Sequence, residues 1–121
     1  MGAFDDIASI PLLPIWDGLR ARTVNGERIT LAVVELDPDA ALPEHSHENE
    51  QLGVVIRGSL TLRVGEEERE LTAGMTWRIE SHTPHGGSAG PEGAVVVDVF
   101  SPPRGDWKEL NPAEEQPPRW P

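Results

Sequence analysis

The chain has 121 residues, 21 Asp and Glu against 10 Lys and Arg for a formal net charge of −11, and no cysteine. That length supports one hydrophobic core. The charge opposes nucleic acid and anionic membranes, which need Lys and Arg to neutralise phosphate, and the missing thiols exclude a disulfide framework, a cysteine nucleophile and a thiolate metal site. The first stretch, "MGAFDDIASIPLLPIW", lacks a basic region followed by a long apolar run, and no run of ~18 apolar residues occurs, so a cytoplasmic protein is expected. Twelve prolines and twelve glycines divide the chain into short segments rich in Val, Leu and Ile, the pattern of strands joined by turns. The predicted class is all-β.

In chain order, "ERITLAVVELDP" reads as a strand, "QLGVVIRG" as a second, and "SLTLRVGEEERELTAG" as a hairpin turning near Gly65. Within the hairpin Leu60, Leu62 and Val64 alternate with Ser59, Thr61 and Arg63, so one face is buried and the other wet. The acidic run "GEEERE" at its turn discourages edge-to-edge aggregation. In "LGVVI" and "AVVVDVF" both faces are apolar, and an antiparallel strand of that kind needs a second layer over it. A partner subunit would supply that layer, so a homodimer is expected. From Asn111 the chain reads "NPAEEQPPRWP", whose prolines prevent regular pairing, and this tail is expected to lie along the surface with Trp120 as an anchor. The single domain spans residues 1–121, with a core at about 20–104 and a proline-rich tail at 105–121.

Chemistry concentrates in "PEHSHENEQLGVVIRG", residues 43–58. In an extended segment side chains at i and i+2 share a face, so His45 and His47 can converge, and the even spacing to Gln51 returns its amide to the same face. A fourth candidate is His85 in "ESHTPHGG", where Pro84 fixes the backbone and glycines follow. Neutral imidazole is the commonest metal ligand, and three of them with an oxygen donor suit zinc, nickel, iron, manganese or copper. Ordinary surface loop histidines are the competing reading. In "VVVDVFSPPRGDW", residues 95–107, Asp98 interrupts an apolar strand on the face of Val96 and Phe100. A carboxylate buried there is suited to general acid or base work, against the alternative of a solvated aspartate at the rim. Two prolines stiffen the approach to Arg104, which could clamp a carboxylate with its planar fork.

The order "HSHENEQLGVVIRG", a hairpin, then "AGMTWRIESHTPHGG" resembles the two motifs of the cupin superfamily over residues 43–87. The resemblance implies a small antiparallel jelly-roll barrel, usually dimeric, with one divalent metal (Zn, Ni, Fe or Mn) at its mouth held by His45, His47, Gln51 and His85. Many cupins have glutamate where this chain has Gln51, and neighbouring Glu50 is the alternative ligand. Adjacent strand residues face opposite ways, and the spacing to the glycine favours Gln51. Four neutral donors leave the ion its full charge, which favours polarising an oxygen over cycling iron with dioxygen.

The combination of His-x-His-x-x-Glu-Gln, Pro-His-Gly and Asp-x-Phe-Ser-Pro-Pro-Arg is similar to the pectin-degradation cupins that linearise 4,5-unsaturated monouronates released by pectin or alginate lyases. That likeness implies a small anionic sugar-like substrate, proton transfer by Asp98, a pocket wall at Phe100 and a carboxylate anchor at Arg104. His82 reads as a polar turn residue with a supporting role as the alternative, Trp77 as barrel core, and Glu44, Glu48 and Glu50 as an acidic rim. A non-catalytic sugar- or metal-binding cupin, an iron dioxygenase and a polyketide cyclase-like protein are the alternative functions.

Overall fold

The computed structural model describes residues 2–121. Eight strands carry the fold: β1 Leu13–Trp16, β2 Leu19–Asn25, β3 Thr30–Leu36, β4 Ala41–His45, β5 Glu50–Val64, β6 Glu67–Thr72, β7 Thr76–Ile79 and β8 His85–Ser101. Two short 3-10 helices, Ile7–Ser9 and Gly105–Glu109, flank them. All strand pairings are antiparallel.

Two long strands shape the barrel. The first half of β5 pairs with the second half of β8, Glu50 opposite Ser101 through Gly58 opposite Ala94, and these halves sit in a layer ordered β1-β2-β3-β8-β5-β7. The second half of β5 pairs with the first half of β8, Leu60 opposite Ala89 through Val64 opposite His85, in a layer ordered β4-β8-β5-β6. Both strands therefore pass from one layer to the other at a shared bend, and the result is a jelly-roll barrel. The bend is built on Gly58, whose φ of 80° suits glycine and whose α-carbon leaves no room for a side chain: a Cβ there would sit 2.1 Å from the Gly93 carbonyl oxygen.

The inward-facing residues Ala21, Ala32, Val34, Leu36, Val55, Leu60, Leu62, Leu71, Ile79, Val96 and Phe100 make one continuous core between the layers. The hairpin alternation holds, with Leu60 and Leu62 buried. One expectation about strands changes. What read as separate strands, "QLGVVIRG" and "SLTLRV", is one 15-residue strand bent at Gly58, and its partner β8 likewise runs for 17 residues through the glycines and proline of "HGGSAGPEG". Glycine and proline signalled a break, whereas cross-strand pairing on both sides carries the ladder through the bend.

The outer face of the larger layer is covered in part by the chain itself. Arg22 and Glu35, both buried, pair at 3.1 Å. Arg22 also donates to the carbonyls of Ile10 and Gln116, while the backbone N–H of Arg119 donates to Glu35 at 2.9 Å and its guanidinium meets Asp37 at 2.9 Å. The tail thus lies along the barrel as expected, but Arg119 pins it. Trp120 is exposed and borders a cleft whose other side is the N-terminal segment Asp5 to Ala8.

Candidate metal centre

Three elements bring the imidazoles together. His45 ends β4 and His85 begins β8 directly opposite, so the two side chains share a face and their ring centres lie 4.1 Å apart. His47 stands in the turn between β4 and β5, and its ring lies 4.9 Å from that of His85. The segment from His45 to Gln51 is not one regular strand, yet the turn returns Gln51 to the same point.

Each ring is oriented by the same device. The Nδ1 atoms of His45, His47 and His85 lie 2.8–2.9 Å from the carbonyl oxygens of Pro43, Asn49 and Thr83, respectively. A carbonyl only accepts, so each Nδ1 carries the proton and each Nε2 presents a lone pair. Burial is the main cause that lowers the pKa of all three rings, with the Arg104 charge adding to it, and His85 falls to about 4. They are neutral imidazoles at neutral pH.

The chemistry of the donor set fits a cation. One ligand atom from each histidine lies within 4.8 Å of the others. The Nε2 atom of His85 is buried and has no hydrogen-bond partner among the described residues. The Nε2 of His47 faces Oε1 of Gln51 at 3.2 Å, two acceptors with no proton between them. A bound cation would satisfy all three atoms at once. The Gln51 amide is held in that orientation because its Nε2 donates to Oδ1 of Asp98 at 2.9 Å. Glu50, the alternative ligand, is exposed, and His82 is an exposed turn residue with φ 64° whose backbone N–H donates to the His47 carbonyl.

Asp98 is buried behind the histidines, on the inward face with Val96 and Phe100. Its Oδ1 also accepts from the indole Nε1 of Trp77 at 3.1 Å. Desolvation raises its pKa to about 6, against the two hydrogen bonds and the Arg104 charge. Arg104, Asp98, Phe100, His45, Gln51 and His85 all line one cavity in the barrel mouth. The Arg104 guanidinium packs against two aromatic rings, 4.8 Å from the centre of Phe100 and 4.2 Å from that of Trp107.

Four contributors escaped sequence reasoning. Asn49 is buried, orients His47 through its carbonyl and ties the turn to the segment after β8 by donating to the Pro102 carbonyl. Trp16 of β1 meets His45 edge-on at 4.6 Å, and Trp107 closes the cavity over Phe100 at 5.2 Å. Asp106 pairs with Arg104 through both carboxylate oxygens. The only signals in the sequence were tryptophans in a chain with few aromatics and an Arg-Gly-Asp spacing that permits a local pair.

A jelly-roll barrel with three neutral imidazoles and an amide oxygen converging at its mouth defines a small cupin. The family model described as Cupin domain matches residues 32–100, and the chain belongs to that family. It is 26% identical over 99 residues to the pectin degradation protein KdgF of Dickeya dadantii, covering 80% of this chain and 90% of that protein. Among solved structures, KdgF from Halomonas sp. superposes with a TM-score of 0.80 at 27% identity over 88% of this chain and 98% of its own. An RmlC-like cupin from Shewanella frigidimarina superposes with a TM-score of 0.81 at 25% identity, covering 88% of this chain and 96% of that one.

Proposed function

We propose that the chain is a metal-dependent enzyme that opens the ring of 4,5-unsaturated monouronates derived from pectin or alginate. The observation that carries this reading is the hydrogen bond from Gln51 to Asp98, which couples a metal-facing amide to a buried carboxylate in the cavity that also holds Arg104. Likeness to two KdgF proteins supports it. Residues 1–121 act as one cupin unit in this reading.

His45, His47, Gln51 and His85 would hold one divalent ion, which supplies a Lewis acid toward a substrate oxygen. Arg104 binds the substrate carboxylate and Phe100 walls the sugar ring. The reaction is an isomerisation: a proton leaves the anomeric hydroxyl, the ring C–O bond breaks, and a proton arrives at the former alkene carbon, so no atom is gained or lost. Asp98 is placed to carry that proton on Oδ2, because Oδ1 is already engaged by Gln51 and Trp77. Trp16 and Trp107 limit water at the mouth. The protein acts in the cytoplasm in this reading, which a chain without cysteine accords with, and no helix among the described residues is long and apolar enough to cross a membrane.

Loss of the unsaturated uronate's ultraviolet absorbance tests the reading, together with elemental analysis of protein purified without added metal. Wild type should contain near-stoichiometric metal and consume the substrate, and His47→Ala should lose the metal. Asp98→Asn should keep the metal and lower turnover by ~10²-fold or more, the usual span for a general acid or base. An inactive, metal-loaded wild type on both galacturonate- and mannuronate-derived substrates would instead favour a sugar-binding cupin or a different cupin enzyme.

A further inference from the structure

Asp106 pairs with Arg104, the one cationic side chain among the described residues that line the cavity. Its Oδ1 and Oδ2 accept from Nε and Nη2 of Arg104 at 3.1 and 2.9 Å, the side-on bidentate geometry by which a guanidinium takes any carboxylate. We propose that Asp106 is an internal competitor, so that a small carboxylate-bearing ligand enters by exchanging with it on Arg104, and a neutral sugar does not. The inference rests on the reading of Arg104 as the anchor for the substrate carboxylate.

Three features favour exchange over a positioning role. Arg104 has anchors besides Asp106: its guanidinium packs against the Phe100 and Trp107 rings, and its backbone N–H donates to the buried Thr30 hydroxyl at 3.0 Å. The two partners are also unequal: the Asp106 side chain is 64% exposed and that of Arg104 10%. A released Asp106 carboxylate regains water at once, so the pair costs little to break, whereas a vacated Arg104 would be left poorly hydrated among aromatic rings. Finally, an incoming carboxylate takes over the pairing that Asp106 gives up, so Arg104 keeps a counterion throughout. A ligand without a carboxylate offers Arg104 nothing in return and leaves the internal pair closed. Asp106 thereby sets a threshold that any carboxylate must overcome, so that an anion with few other contacts in the cavity is held weakly, and it adds to the repulsion from the chain's net charge of −11.

Titration of the purified protein with D-glucuronate and with D-glucose, followed by the fluorescence of the tryptophan beside Arg104, tests the exchange without requiring turnover. Asp106→Asn should bind D-glucuronate more tightly, by up to about five-fold, the upper end for one exposed ion pair, with D-glucose unaffected. The gain should vanish when Arg104→Ala is added. Glu109→Gln removes a charge from the same short helix and should leave affinity unchanged. Weaker D-glucuronate binding in Asp106→Asn would show that the residue positions Arg104 and would overturn the proposal. Equal tightening by Glu109→Gln would replace it with a diffuse charge effect, and absence of D-glucuronate binding in wild type and variant alike would also overturn it. If the exchange pattern holds but no unsaturated uronate is consumed, the ring-opening reading falls while the anion threshold stands.

Discussion

The two oxygens of Asp98 are treated differently by the protein. Oδ1 receives both available donors, the Gln51 amide and the Trp77 indole, and Oδ2 is left for the cavity. The indole reaches that position because Gly53 has no side chain: a Cβ there would lie 2.2 Å from the Trp77 ring. Trp77→Phe removes one donor from a buried carboxylate and should lower stability by about 1.5–3 kcal/mol, the range for a hydrogen bond to a charged group, measured by urea unfolding. An unchanged midpoint would mean that water or a rotated Gln51 replaces the indole. The same residues show how far the sequence could be read. Spacing placed Asp98 on one face with Val96 and Phe100, since the period of two is fixed by the strand itself, whereas the even spacing from His47 to Gln51 runs through a turn that periodicity does not describe. Nor could spacing show that Gln51 and Asp98 touch, because the register between β5 and β8, with Gln51 opposite Phe100 and Gly53 opposite Asp98, is set by the bend at Gly58 rather than by either strand. Trp77 read as barrel core for a related reason: its buried ring is visible in the pattern, and its N–H partner on another strand is not.

At the scale of elements, the C-terminal segment does two jobs in sequence. Residues Gly105–Glu109 close the cavity with Trp107, and the following stretch runs to the opposite side, where Arg119 meets Glu35 and Asp37. Arg22 joins that cluster from below, its side chain almost wholly buried against Glu35 and the carbonyls of Ile10 and Gln116. Arg22→Ala would leave Glu35 as a buried charge short of its main partner, and should cost about 3–5 kcal/mol in chemical denaturation. A loss below about 1 kcal/mol would indicate that Arg119 compensates. Acid should loosen the same strap. The guanidinium of Arg20, then that of Arg119, holds the Asp37 carboxyl below the usual carboxylate range. Its contribution is therefore fully present above the unfolded value of about 3.9 and is lost as the pH falls through the lower folded value. Stability measured from pH 7 downwards should fall less steeply at the acid end in Asp37→Asn than in wild type. This cluster was illegible in the sequence, where the prolines of "NPAEEQPPRWP" correctly excluded pairing but a strap of scattered ion pairs has no periodicity to read. Trp120 drew attention as the large apolar residue, while the contact that holds the tail is made by its charged neighbour.

For the whole molecule, the open question is what lies over the remaining outer face. One cross-strand row runs Val24, Leu31, Val99 and Leu52 over β2, β3, β8 and β5. The neighbouring Val33 and Val95 are buried, but Val24, Leu31 and Leu52 stay 45, 37 and 46% exposed. Ile29, just before β3, is an exposed apolar residue too. The double-sided apolar character of these strands was legible in the sequence; the division of the cover between the chain's own tail and something else was not, since it depends on where the tail lies. We propose that a second copy completes the cover in an isologous homodimer, with the apolar rows facing one another. Two chains of −11 each repel at low salt, and at physiological ionic strength the Debye length of about 8 Å screens that repulsion while leaving apolar burial intact. Light scattering near 0.15 M salt should therefore report twice the mass of the chain, and the dimer should weaken as salt is removed. Leu31→Glu places a charge in the middle of the row at a position exposed in the isolated chain, so it should shift the mass to that of one chain while leaving the metal content and the unfolding midpoint of the monomer intact. A monomeric wild type at micromolar concentration, or a Leu31→Glu variant that stays dimeric, would remove this face from the interface.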